Sequence, residues 1–145
     1  MAFISLGVFW IAHHIMYLAV RRADRTLLWL NIVFFMFVSL LPFSTSVLNA
    51  FPRSLIGPFL FGANLALVGW LLFFQWRYVG SQPGMLASFV TIEYRSTVNF
   101  RMLAVPIATT FTAIVCFWSS GISVAIYLLL LPLYLLPGST GRSWA

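Results

Sequence analysis

Apolar residues fill this chain in five long runs, separated by short stretches that hold nearly all of its charge. The first two runs bracket a tight basic turn, Arg21-Arg22-Ala23-Asp24-Arg25. Charges cannot sit in hydrocarbon, so the turn marks a membrane surface and the two runs form a helical hairpin. Continued along the chain, the pattern predicts membrane helices at about 3–20, 26–49, 54–77, 102–118 and 122–136. The fold class is therefore all-α, a polytopic membrane helical bundle with five transmembrane helices in one domain over residues 1–145. Pro42 lies inside the second span, removes a backbone donor and predicts a kink near Val38, with Ser39, Ser44 and Thr45 placed to serve the freed backbone groups. Residues 80–101 break the pattern. Gly80, Pro83 and Gly84 open that stretch, and Glu93, Arg95 and Arg101 then alternate with apolar residues, which predicts an interfacial amphipathic segment. Pro106 falls in the first turns of the fourth span, and Pro137-Gly138 stops the fifth.

Composition sharpens the class. The chain is 62% hydrophobic and only 7% charged, more apolar surface than a soluble domain of this length can hide. Every cation is an arginine, and arginines scattered between apolar runs are topology signals with no nucleic-acid partner implied. Arg21, Arg22, Arg25, Arg77, Arg95, Arg101 and Arg142 fall on one side of the predicted membrane, and Arg53 alone on the other. Positive-inside bias then places the C-terminus in the cytoplasm and the N-terminus of this chain outside a cell membrane. Met1 runs straight into apolar sequence, with the basic residues following, so the first run reads as a retained span and not a signal peptide. Cys116 is the single cysteine, which excludes an intrachain disulfide and a cysteine-based metal site.

Candidate chemistry is sparse. His13, His14 and Asn31 fall inside the bilayer, His13 and Asn31 each about 10 Å from the turn at ~1.5 Å per residue, and they form a candidate interhelical polar network. Adjacent histidines point ~100° apart on a helix and cannot clamp one metal from a single face. A bis-histidine haem needs a histidine on a second helix, so no metal or cofactor is expected. Both acids, Asp24 and Glu93, fall in predicted surface segments, which removes a buried carboxylate proton relay and paired-carboxylate catalysis; no enzyme and no catalytic residue is expected. Gly62, Ala66 and Gly69 recur at helical spacing and make a candidate packing face, while Asn64 projects to another side, placed to hydrogen-bond across helices. Trp29, Trp76, Tyr78 and Trp118 fall near predicted interfaces as anchors.

Several of these pieces, Trp10-x-x-His13-His14, the basic turn, Leu28-Trp29-Leu30-Asn31 and Leu41-Pro42-Phe43-Ser44-Thr45, together resemble helices two and three of the prokaryotic transmembrane protein 175 family, relatives of the lysosomal potassium channel. Gly62 to Leu67 and Tyr127 to Pro137 agree more loosely. The family's first helix, with its Arg-x-x-x-Phe-Ser-Asp motif and most of the pore lining, has no counterpart among these residues. The resemblance implies a six-helix subunit of a potassium-selective homotetrameric channel, here N-terminally truncated, with potassium ion and the lipid bilayer as partners. It also implies that His13 and Asn31 help hold the absent helix, so conduction by these five spans alone is not expected. The alternative is a non-conducting membrane scaffold or assembly partner.

Overall fold

The computed structural model describes residues 2–135; Pro137-Gly138, Arg142 and the C-terminus, which entered the stop signal and the charge count, lie outside the described residues. Six helices follow in order: α1 Ala2–Leu18, α2 Arg25–Ser39, α3 Leu41–Ala50, α4 Ile56–Ser81, α5 Ile92–Val115 and α6 Ser120–Leu135. Counted together, α2 and α3 form one run from Arg25 to Ala50. That run, α4 and α5 are each long and apolar enough to cross a membrane, and two shorter apolar helices, α1 and α6, accompany them. Phe3, Trp10, Ile56, Phe74, Phe111 and Leu129 are all more than half exposed, a surface suited to lipid tails and not to water. This is a membrane helical bundle.

Helix α4 is the hub, in contact with each of the other five helices. Its packed side is deeply buried: Phe61, Leu65, Val68, Leu72, Trp76 and Val79 are all at most 4% exposed. Trp76 is therefore core, at 2% exposure, and not the interfacial anchor its position suggested. Trp76 lies on the packed side of α4, whereas Ile56, Leu67 and Phe74 hold its exposed, lipid-facing side.

The small residues of α4 set how closely its neighbours approach. A side chain added at Gly62 would lie 2.7 Å from Cζ of Tyr127 on α6 and 3.1 Å from the Ala113 methyl on α5. At Gly69 it would meet Pro106 of α5 at 3.3 Å, and Ala66 between them is buried. The phenol oxygen of Tyr127 is buried with no hydrogen-bond partner. Gly62→Ala is expected to destabilise the protein by about 1–3 kcal/mol through overpacking against this ring. Tyr127→Phe, which removes the unpaired hydroxyl, is expected to stabilise it by about 1 kcal/mol and to recover part of the Gly62→Ala loss. Thermal unfolding in detergent, followed by circular dichroism, checks both; a destabilised Tyr127→Phe protein would show that the hydroxyl is satisfied.

Two boundaries depart from expectation. The stretch 80–101 is not one interfacial segment: α5 begins at Ile92, ten residues before the predicted span. Thr91 caps it, its hydroxyl oxygen accepting from the Tyr94 N–H at 3.1 Å. The charged turns carrying Glu93, Arg95 and Arg101 thus belong to the same continuous helix as the apolar half, and Pro106 lies in its interior. The second departure is at Pro42. The backbone is interrupted at Leu40, two residues before the proline, and helix resumes at Leu41.

The connections at one end are tied together. Arg21 N–H donates to Met85 O at 2.8 Å and Ala87 N–H to Ala19 O at 2.9 Å, an antiparallel bridge between Val20 and Leu86. The basic turn after α1 and the loop between α4 and α5 therefore lie at the same end of the bundle.

Candidate functional site

The polar side chains inside the bundle form two groups, one near mid-α1 and one at the α2–α3 break. In the first, His13 Nε2 lies 2.8 Å from Asn31 Oδ1, joining α1 to α2. An amide oxygen can only accept, so the imidazole proton sits on Nε2. The ring is enclosed by aromatics: Tyr17 at 4.4 Å, and Phe34 and Phe35 each at 5.1 Å between ring centroids. Gln75 of α4, fully buried, extends the group. Its Nε2 donates to Leu30 O at 3.4 Å, and its Oε1 accepts from Tyr17 Oη at 3.5 Å, both long contacts. One polar band therefore crosses α1, α2 and α4.

Gln75 and Tyr17 were not picked out from the sequence. The signal for Gln75 was present: it is one of two amides, with Asn64, within 26 residues of otherwise nearly apolar helix, and such residues seek partners. Tyr17 follows His13 by four residues, the spacing that stacks side chains on one helix face. His14 does not join the band. It stacks on Trp10 at 5.4 Å with the rings 9° from parallel, and both point out of the bundle.

The second group repairs the helix break. Leu40 N–H reaches back to Phe37 O at 3.2 Å, a tightened turn. The Asn64 amide on α4 lies against the same spot. Oriented to satisfy every neighbour, it donates from Nδ2 to Phe37 O and accepts at Oδ1 from Leu41 N–H and Ser44 Oγ, each at 3.2 Å. A side chain from the hub helix thus takes the place of the backbone bond that would have joined Leu41 to Phe37.

Most of the remaining buried hydroxyls serve their own helices. Thr45 donates to Leu41 O at 2.8 Å, Thr109 to Val105 O at 2.9 Å and Thr112 to Ala108 O at 2.7 Å. Ser123 of α6 donates to Thr112 O at 3.2 Å, and Trp70 donates to Thr110 Oγ1 at 3.1 Å. Gly62, Ala66 and Gly69 lie against α5 and α6 rather than along an open groove. Among the described residues, no group of three or more His, Cys, Asp or Glu is placed to hold a metal ion.

At the basic turn, Asp24 caps α2. Its carboxylate accepts from Leu27 N–H at 2.8 Å and from the Tyr78 hydroxyl of α4. The Tyr78 hydrogen bond first, and the backbone bond second, hold this carboxyl below its ordinary range, so Asp24 stays ionised at any physiological pH. It fixes the turn to the hub helix.

Residues 1–42 match a family model described as "Endosomal/lysosomal potassium channel TMEM175". The chain is 28% identical over 122 residues to the endosomal/lysosomal proton channel TMEM175 of Danio rerio, covering 81% of this chain and 24% of that protein. It is 35% identical over 52 residues to a potassium channel of Streptomyces collinus, covering 36% of this chain and 25% of that protein. The chain thus matches about a quarter of the length of each relative.

Proposed function

We propose that this chain, a member of the TMEM175 family, is part of an ion channel in which its helices frame the conduction path without enclosing it. The observation that carries the proposal is how the membrane-embedded polar groups are spent. His13 is used on Asn31, Gln75 on α1 and α2, Asn64 on the broken helix, and the threonines on their own backbones. A conduction path needs polar groups open to water and repeated around an axis, and those named here are committed to partners inside the bundle. Conversely, His14 and Trp10 face outward on α1. An imidazole directed at lipid is costly, so this face packs against another helix in the assembly, and the His13–Asn31 pair behind it holds α1 in position for that contact. A homotetramer with the ion path on its axis fits this arrangement.

The ion we propose is potassium. The relatives differ, one named a proton channel and the other a potassium channel, and neither buried acid nor carboxylate relay stands inside the described helices to carry protons. The test is flux through liposomes holding the chain fused to a family-type pore helix. Potassium flux exceeding sodium and proton flux is the expected outcome. A current carried by protons alone would assign the other ion, and no current from a folded fusion would favour a non-conducting scaffold.

The arginines support an orientation with the 21–25 turn and the α4–α5 loop in the cytoplasm. A cysteine replacing Ala23 is expected to resist an impermeant thiol reagent outside intact cells and to react in inverted vesicles; the native Cys116 is buried and gives little background. Labelling of intact cells would reverse the orientation.

A further inference from the structure

At the end of the bundle that carries the basic turn, the last turns of α4 and the first turns of α5 leave a cleft of ≈ 300 Å³. Trp76 and Arg77 form one wall; Ile92, Arg95, Ser96 and Asn99 form the other. The spacing on α5 is that of a single helix face, so four side chains project together across the gap. We infer that this cleft binds the phosphate of an anionic phospholipid headgroup.

Charge supports this first. Arg77 and Arg95 line the same small space, and neither forms an ion pair with an acid among the described residues. Glu93, the nearest acid in sequence, is not part of the lining and sits two positions from Arg95, off its helix face. Two guanidinium groups facing one cleft repel each other unless an anion lies between them, and guanidinium forks suit phosphate oxygens. Ser96 and Asn99 add neutral donors beside them, as a phosphodiester with several oxygens requires.

Position supports it second. The cleft lies within about two turns of the helix ends, at the bundle end marked by the Val20–Leu86 bridge, which is headgroup depth for a membrane-spanning helix. Its surroundings are apolar and uncovered: Ile92 is 91% exposed and Phe100 75% exposed. A free phosphate has no use for such neighbours, whereas the acyl chains below a headgroup do. Basic pockets between membrane helices on the arginine-rich side are suited to this role.

The guanidinium of Arg95 also rests on Gly80, where an added side chain would lie 2.8 Å from it. The close approach of α5 to α4 at this glycine holds the arginine over the cleft.

The experiment uses the full chain in a neutral detergent, titrated with phosphatidylglycerol, phosphatidylcholine or inorganic phosphate and read by native mass spectrometry. Phosphatidylglycerol is expected to bind more tightly than phosphatidylcholine, and inorganic phosphate at the same concentration is expected not to displace it. At about one kcal/mol per arginine near a membrane surface, R77Q and R95Q are each expected to weaken phosphatidylglycerol binding roughly fivefold, and the pair roughly 25-fold. R53Q, at the opposite end, is expected to change nothing. Unchanged affinity in R77Q/R95Q, or equal affinity for phosphatidylcholine, would overturn the site. Full displacement by inorganic phosphate would overturn the lipid assignment. Should the Arg95 variant fail to fold because of its packing on Gly80, R77Q alone decides, since its side chain is exposed.

Discussion

Replacing Asn64 with leucine is expected to cost roughly 1–3 kcal/mol of stability, from leaving the buried Leu41 N–H without a partner, while Phe37 O keeps its bond from Leu40 N–H. The substitution keeps the side-chain size, so the loss reports hydrogen bonds and not a cavity. Phe37 O and Leu41 N–H are separated by the interruption at Leu40, and the Asn64 amide is the side chain that reaches both. The interruption itself follows from Pro42, which has no N–H to give to Val38 O and whose ring crowds that carbonyl. The two residues are therefore coupled across helices. Pro42→Ala restores the missing donor and lets the helix close past Leu40, so Asn64→Leu in that background is expected to cost less than half as much. Denaturation of the four proteins in detergent gives the cycle. Equal cost of Asn64→Leu in both backgrounds would mean the amide does not serve the break.

The hairpin around the basic turn was legible in the sequence because charge exclusion from hydrocarbon is a strong constraint and acts locally. Placing the His13-His14 pair level with Asn31 needed only helical rise and the position of the turn; which histidine makes the bond, His13, came from the structure. The Pro42 interruption was legible in kind but not in place: a proline's steric effect reaches back up to four residues, and tertiary contacts decide which bond yields. Here Asn64 makes Leu40 the cheapest position. The start of α5 was misjudged for a different reason. Hydropathy reports where a helix can lie in lipid and says nothing of where its backbone bonds begin, so polar turns from Ile92 to Arg101 read as a separate segment. Thr91 was the available signal, a capping residue directly before the helix. Trp76 shows the limit of interface rules. Its sequence position fits an anchor, but only the packing order, with α4 in the middle, decides that it is core.

Reconstituted without other protein, residues 1–145 are expected to pass potassium at close to the rate of empty liposomes. The reason is structural and concerns the helices themselves. Asn31, Asn64 and Gln75 are engaged between helices, and freeing any of them to hydrate an ion would break a contact between helices, while the Thr109 and Thr112 hydroxyls are engaged on their own helix. Apolar side chains supply most of the remaining surface. No Thr-Val-Gly-Tyr-Gly filter is present to replace potassium's hydration shell. Under the proposed function the path lies beside the bundle, against the α1 face that carries Trp10 and His14. The direct measurement is a potassium flux assay comparing liposomes of the chain alone with liposomes of the chain fused to a family-type pore helix. Background flux is expected from the first and potassium-selective flux from the second; robust potassium-selective flux from residues 1–145 alone would instead place the pore within the helices themselves.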